Sequence, residues 1–435
     1  MNAKPRLLVL TDIGGDPDDQ QSMIRLMTYA NEFEIEGLLA TSTCTKAEPQ
    51  PTTRCDLIRR TIEAYGQVRP MLVQHDSRYP EPETLLEKVH AGNPARGMKA
   101  IGLAGDTNAS QWIIRALDRM DPRPLNVAIW GGQTDLAQAL WRIRHDRGEE
   151  ALGAAAARLR VHDIGDQDGL LGWITREFPG LFYIFSGAPA HLDMRMGAYR
   201  GMYLGGDESL TSLNWIETHV LRGRGPLGAL YPTKTWTAPN PHGVLKEGDT
   251  PSWFYFLPNG LGSASHPSWG GWGGRFERSA EGVYRDAWDT VNGTRSARAS
   301  VWRWRDAYQR DFQARMDWCV RPPGASSHPP AVVLNDDDSR EPVRVQSAPG
   351  QTVRLTAEGT SDPDGGGLSF RWWVYPEAGS CPAEVEVCRP DGMEAEIPLR
   401  EDMHGADVHV ILEVTNSGEP PLTRYRRAVI SVRND

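Results

Sequence analysis

Four aspartates fall within the eight residues Asp12-Ile13-Gly14-Gly15-Asp16-Pro17-Asp18-Asp19. Carboxylates at that density do one of two things. Together they ligate a hard cation or hold the hydroxyls of a polyol; singly they cap a helix and meet its dipole. In the capping reading Asp16 is the N-cap, Pro17 the first helical residue, and Asp18 and Asp19 lie in the first turn. Capping leaves Asp12 and the surplus of carboxylates unexplained, so both readings stand.

Further strings carry candidate groups. Trp130-Gly131-Gly132-Gln133-Thr134-Asp135 repeats the order of apolar strand, glycine turn, polar residues and helix, with Thr134 as a local cap. Glu247-Gly248-Asp249-Thr250-Pro251 reads by itself as a turn. Ser268-Trp269-Gly270-Gly271-Trp272-Gly273-Gly274-Arg275 sets two tryptophans among paired glycines. Glycine makes this a poor helix or strand, so the rings either hold an irregular loop from inside or offer flat apolar faces to a sugar. Arg275 would then meet an anionic or polyol group, and His266 is either an acid or a surface histidine. Asn108 is a candidate sugar contact in a loop that leads into a helix. The runs 162–168 and 205–208 are polar loops of lower rank.

Elements that position these groups can be read from periodicity. Leu7 to Leu10 are continuously apolar, as expected of a strand covered on both faces. Strands are expected at Leu7 to Thr11, Ile35 to Thr41, Leu125 to Trp130, Leu159 to Ile164 and Leu181 to Phe185. Helices are expected at Gln20 to Asn31, Thr52 to Tyr65, Thr84 to Ala91, Ser110 to Met120 and Leu136 to Arg144. This alternation predicts an α/β fold, a doubly wound and mainly parallel sheet whose ligands lie beyond the strand carboxyl ends. Residues 187–321, rich in Gly, Pro and Trp, are expected to fold over those ends as walls and lid, closing with a helical stretch from Asp286 to Trp318. Residues 321–334 read as a proline-stiffened linker. After it the period changes to two, and short strands predict an immunoglobulin-like β-sandwich over 335–435. Trp372 and Trp373 alternate faces, so one is core and the other a candidate sugar platform.

The chain has 435 residues and a net charge of -10, which argues against a general nucleic-acid binder. No apolar run is long enough to span a membrane. The chain enters its first strand without a signal peptide, which makes it cytoplasmic as given, or periplasmic or secreted if it is a mature or truncated form. Cys381 and Cys388 could pair in an exported protein; Cys44, Cys55 and Cys319 read as isolated thiols.

The aspartate loop resembles the amino-terminal signature of the inosine-uridine nucleoside hydrolases. Residues 11–20 followed by Asn31-Glu32-Phe33-Glu34-Ile35-Glu36-Gly37-Leu38 resemble more closely the nucleoside-hydrolase-like domain of proteins described as cellulose-binding. Thr360-Ser361-Asp362-Pro363-Asp364-Gly365 and the following strand resemble polycystic-kidney-disease-type domains, and the carboxyl-terminal domain of the same cellulose-binding proteins. The resemblance implies a domain 1–320, a bound calcium ion and a late aspartate, Asp249, that closes its shell. It gives the Thr134 carbonyl a ligand role and replaces a family asparagine by Asp135. Without gaps the family's middle aspartate falls on Gly14, so Asp16 takes its place or the role is lost.

Asp12, Asp16, Asp19, Asp249 and Thr134 thus form the expected calcium set; oxygen-only ligation favours calcium over zinc. Asp18 or Asp12 is the expected general base. Asn108, Gln133, Asp135, Glu247, Trp269, Trp272 and Arg275 are the expected substrate contacts; the same relatives carry the Trp-Gly string. The expected activity is calcium-dependent hydrolysis of an N- or O-glycosyl bond in a small glycoside, a glycosidase reaction. The alternative is a non-catalytic carbohydrate-binding protein that uses this pocket or the sandwich. No nucleic-acid or membrane partner is expected, and a homodimer is compatible with the chain.

Overall fold

The computed structural model describes residues 3–44, 50–189, 191–234, 244–381 and 384–433. Its centre is the strand Arg6–Thr11 (β1), buried along its whole length. Its side chains alternate between two cores. Leu7 and Val9 pack with Met23 and Ile58, from the helices Asp18–Thr28 (α1) and Cys55–His75 (α2). Leu8 and Leu10 pack with residues of the helices on the other face. A continuous apolar run is therefore the signature of a strand with two cores, each fully buried side chain contributing ~1.5–3 kcal/mol.

β1 pairs in parallel with Glu34–Ala40 (β2) on one side and Leu125–Ile129 (β4) on the other. The strand Val89–Ala91 (β3) lies outside β2; Leu159–Ile164 (β5) and Phe182–Ser186 (β6) extend the sheet beyond β4. Tyr284–Asp286 (β8) adds in parallel to β6, and Phe276–Arg278 (β7) closes the edge antiparallel to it, giving the order β3-β2-β1-β4-β5-β6-β8-β7. The doubly wound, mainly parallel sheet expected from the sequence is present. The chain winds in one direction from β1 and in the other from β4, so the switch point lies between them, where the aspartate loop and Gly131 emerge.

Three local expectations are corrected. Residues Thr84 to Ala91 are not one helix: the helix Pro82–Leu86 (α3) stops and β3 begins, because Val89 to Ala91 gain ladder bonds beside Leu38 to Ala40. The second helix runs on through Pro70 to His75. The stretch opening at Asp286 is first a hairpin, Asp289–Val291 with Thr294–Ser296, and only then the helices Ala299–Trp302 and Arg305–Trp318.

In the carboxyl-terminal part, Val343–Ser347, Thr423–Val432, Asp407–Asn416 and Leu368–Val374 form a four-stranded sheet in that order, and Thr352–Thr356 pairs with Glu394–Pro398. Trp372, Leu355, Ile397 and Val410 lie between them. The neighbouring Trp373 points the other way, toward Trp304 and Tyr375, with ring centroids 5.7 and 5.5 Å away. It is a packing residue, not a free platform. The cysteines are all free, Cys381 and Cys388 included.

This β-unit is fused to the α/β unit through a shared apolar cluster in which Tyr375, Ile411 and Tyr425 join Trp272, Trp304 and Tyr308. Around it, Arg424 meets Asp311 at 2.8 Å and Arg340 meets Glu32 at 3.0 Å. The proline-rich segment is stitched down as well. Trp318 donates its indole N–H to the Ser327 carbonyl, and its ring stacks on both His75 and His328. Val332 and Leu334 are buried with the sandwich core. Among the described residues no helix is long and apolar enough to cross a membrane.

Candidate metal and sugar site

Three backbone features bring the carboxylates together at the switch point. β1 ends at Thr11, and Asp12 follows it. Next to it the chain leaves β4 through Gly131, where a Cβ would lie 2.5 Å from the Asp12 carboxyl carbon, so only glycine lets Asp12 occupy that place. Gly14 turns the loop with φ +106°, and a Cβ there would meet Arg54 at 2.9 Å. Pro17 is the residue that caps α1, without a side-chain cap bond, and Asp18 and Asp19 form the first turn. Asp16 is therefore not the N-cap: its carboxylate is paired with the Lys246 ammonium.

Asp249 arrives from a distant loop and opens the short helix Thr250–Phe254. The loop is pinned to the sheet because the Ser252 hydroxyl donates to the Asp249 carbonyl at 2.6 Å and accepts the Trp130 indole N–H at 2.9 Å. Glu247 anchors it from the other side. This carboxylate, wholly buried, accepts from Arg25, Tyr231 and Thr250. Its acceptor capacity is spent on the fold, and the expected substrate contact at Glu247 is replaced by a structural ion pair.

The outcome is a compact cluster. Carboxylate oxygens of Asp18, Asp19 and Asp249 all lie within 4.8 Å of one another. Asp19 also accepts from the Thr11 hydroxyl, whereas Asp249 Oδ2 is buried and, among the described residues, has no hydrogen-bond partner. Burial, reinforced by the charge of Asp12, pushes the Asp18 carboxyl up to about 7. Burial and the mutual repulsion of the group push Asp19 and Asp249 well above the usual carboxylate range. Acceptor-only oxygens around an unpartnered one fit a hard cation, and the donor set contains no nitrogen or sulfur.

Asp12 stands beside this group, raised by burial against the pull of Arg96, whose guanidinium donates to its Oδ2 at 2.7 Å. Arg96 also lies 3.7 Å from Asp168. The latter accepts from the Thr134 amide at 2.9 Å and hydroxyl at 2.6 Å. Thr134 sits in the first turn of the helix Gln133–Ala156, where a carbonyl is directed along the axis toward the amide four residues on.

Other expected contacts are also redistributed. Gln133 is buried and bonded to Asp163 and Asp166. Asp135, pushed by burial up to about 6, accepts from Thr107 at 2.6 Å and from the Asn93 amide, so it braces two loops. Asn108 is exposed at the start of the helix Asn108–Asp118, which Thr107 and Ser110 cap reciprocally. The Trp-Gly string lies at the junction with the β-unit. Trp272 is 1% exposed and packs on Phe254, Tyr308 and Tyr425. Trp269 stacks on His266 and meets His409 edge-on. Arg275 is bonded to Asp289, Glu277 and the Trp288 carbonyl. Trp269 and Trp272 pack between the two units, and Arg275 is tied up in ion pairs within the larger one.

Sequence reasoning missed the basic and phenolic groups that surround the carboxylates. Lys246, pulled down to about 8 by burial, lies 3.9 Å from Asp18 Oδ2. It stands directly before the Glu247-Gly248-Asp249 string, so charge alternation was a usable signal. Tyr199, Arg200 and Tyr203 come from the 3-10 helix Ala198–Met202 and the residue after it, an irregular stretch with no periodicity to flag it. Asp286, at the end of β8, accepts the Ala198 amide at 2.6 Å, and the Ser186 hydroxyl at the end of β6 accepts the Tyr199 amide at 3.3 Å. The Tyr199 ring then lies so close over Gly248 that a Cβ there would meet it at 3.1 Å, which sets it beside Asp249.

Comparison with known proteins now bears on this geometry. Residues 6–276 match the family described as cellulose-binding Sde182, nucleoside hydrolase-like domain, and residues 352–432 match the cellulose-binding protein Sde0182, C-terminal domain. No curated protein matches. The chain is similar to a solved nucleoside hydrolase-related hypothetical protein from Saccharophagus degradans, associated with carbohydrate metabolism. Identity is 33% with a TM-score of 0.84, over 99% of this chain and 100% of that one. A solved PKD domain from the KIAA 1837 protein overlaps 21% of the chain at 15% identity, with a TM-score of 0.17 that carries no structural argument. The shared sheet, the aspartate loop at its switch point and the end-to-end match lead to one assignment: this chain belongs to the Sde182 nucleoside hydrolase-like family.

Proposed function

We propose that the chain is a calcium-dependent hydrolase of a glycosidic bond in a small glycoside. The observation that carries this reading is the buried, unpartnered Asp249 Oδ2 among the oxygens of Asp18 and Asp19. Those three residues would hold the ion, with Asp12 and Asp16 at its margin. Calcium bound there supplies fixed positive charge that orients vicinal sugar hydroxyls and acidifies water.

The chain's own groups do the rest. Asp18, with its side chain about a quarter exposed, reaches the open side of the cluster and takes the proton of the attacking water. Asp12, which accepts from Arg96, lies beside the cluster to steady the positive charge that develops at the anomeric carbon. Lys246 sets a charged donor next to Asp18 and fixes Asp16. Trp130 and Gly131 hold the strand end so that these groups face the same space.

A second reading, sugar binding without turnover, is favoured by one observation. Gly14 stands where the resembled hydrolases carry an aspartate, and its φ of +106° with Arg54 packed against it bars a side chain. The family's description as cellulose-binding supports the same reading. Sugar release from a panel of nucleosides and aryl glycosides, with calcium and with chelator, separates the two. Calcium-dependent release that disappears in Asp19→Ala supports the hydrolase. Calcium-dependent sugar binding without release would leave the binding protein.

A further inference from the structure

Ion pairing around the candidate site is uneven. Arg96 is matched to Asp12, and Lys246 to Asp16. Arg200 differs. It is half-buried, near enough for its charge to act on Asp18 and Asp249, and among the described residues its hydrogen bonds run only to two phenols: Nε to the Tyr199 hydroxyl at 2.9 Å and Nη1 to the Tyr203 hydroxyl at 2.7 Å. Among the described residues it forms no ion pair, and two of its five N–H groups are used. Since both phenol oxygens accept from Arg200, their own protons are free to be donated outward.

The site therefore has two chemically opposite ends. At one, the carboxylates of Asp18, Asp19 and Asp249, ionised around the cation, present acceptors only. At the other, the Arg200 guanidinium and two phenolic O–H groups present donors only. A ligand that satisfies both must bring hydroxyls at one end and an acceptor-rich group at the other, and the unmatched cation asks for an anion there. A monoanion suits the site better than a dianion: one cation is unmatched, and the facing carboxylates repel further negative charge. We propose that Arg200, Tyr199 and Tyr203 form a carboxylate subsite, so that the glycoside this site takes is that of an acidic sugar, a uronic acid. The proposal rests on the reading of the carboxylate cluster as a sugar site.

Isothermal titration of the full chain in calcium tests it, with galacturonic acid, galactose and galactose 6-phosphate as probes and the corresponding gluco series beside them. Charge-assisted bonding to a half-buried guanidinium should make one uronic acid bind about tenfold or more tightly than its neutral sugar. In Arg200→Gln that ratio falls to about one, and in Tyr203→Phe it falls in part. Should Arg200→Gln not fold, Tyr203→Phe carries the test. Equal affinities for acid and neutral sugar, stronger binding of the phosphate, or a ratio that survives in folded Arg200→Gln would each overturn the subsite while leaving the sugar site standing. Failure of every sugar to bind in calcium would remove the sugar-site reading and this proposal together.

Discussion

Replacing Asp249 by Asn should make the cation-free protein more stable and at the same time deaf to calcium. The carboxylate oxygens of Asp18, Asp19 and Asp249 lie within 4.8 Å of one another, and at that separation one ionised pair repels by ~3.5 kcal/mol with an effective dielectric of about 20. Protonation relieves part of this at neutral pH, since burial and mutual repulsion raise all three carboxyls, so the assay belongs at alkaline pH. Unfolding entropy of ~2.1 cal/mol/K per residue over 435 residues gives ~0.9 kcal/mol/K, and relief of one pair raises the melting temperature by ~3–4 °C. Calcium at a hundred times its Kd stabilises the native protein by ~2.7 kcal/mol, about 3 °C on the same scale. Scanning calorimetry in chelator and in calcium should thus show a native protein that melts low and responds, and an Asp249→Asn variant that already melts higher and does not. A variant destabilised in chelator would mean that Asp249 Oδ2 has a structural partner, and an undiminished calcium response would place the ion elsewhere. Either result refutes the reasoning.

Acid should loosen the junction within a defined window. Against the upward push of burial, Arg315, Arg340 and Arg78 hold Glu32 down to about 2; Arg78 and Asn31 hold Asp76 down to about 2 in the same way. Folded values below the unfolded ones mean that this stability is full above about pH 4.5 and is lost as pH falls toward 2, ~3 kcal/mol for Glu32 and at most ~2 kcal/mol for the half-buried Asp76, as urea titrations at stepped pH will show. Glu247→Gln leaves the buried Arg25 without its counter-charge and should cost ~3–5 kcal/mol in the same titrations. Trp272→Ala opens the aromatic seam between the units and should also cost ~3–5 kcal/mol, with sugar binding in the surviving folded fraction unaltered. Gly131→Ala puts a methyl group 2.5 Å from the Asp12 carboxyl carbon, and displacement of that carboxylate should cut any sugar release about a hundredfold while circular dichroism stays native.

What could be read in the sequence was what is local. The apolar run Leu7 to Leu10, the glycines at 14 and 131 and the carboxylates after β1 announce themselves because strand, turn and first helical turn are contiguous. Asp249 was singled out only through resemblance, and its place beside Asp18 and Asp19 depends on a loop pinned across β4 by Trp130 and Ser252, a contact of residues 122 apart. The Trp-Gly string illustrates the opposite error. Composition marked Trp269 and Trp272 as special, yet nothing in it says whether a flat ring faces a sugar or the rings of Tyr425 and Tyr308. Glu247 and Arg275 misled for the same reason, since a charged residue in a motif looks identical whether its partner is a ligand or a buried ion. Arg200 was invisible because a 3-10 turn has no period long enough to detect.

The aromatic seam joining the two units bears on how the protein could act on a polymer. A binding module on a loose tether lets its catalytic partner sweep the surrounding substrate at many angles. Here Tyr375, Ile411 and Tyr425 are part of the larger unit's own core, and Ser327, Val332 and Leu334 are held down where a hinge would have to be. Anything the β-unit grips meets the strand-end crevice at one fixed distance and bearing, like a tool clamped to a jig.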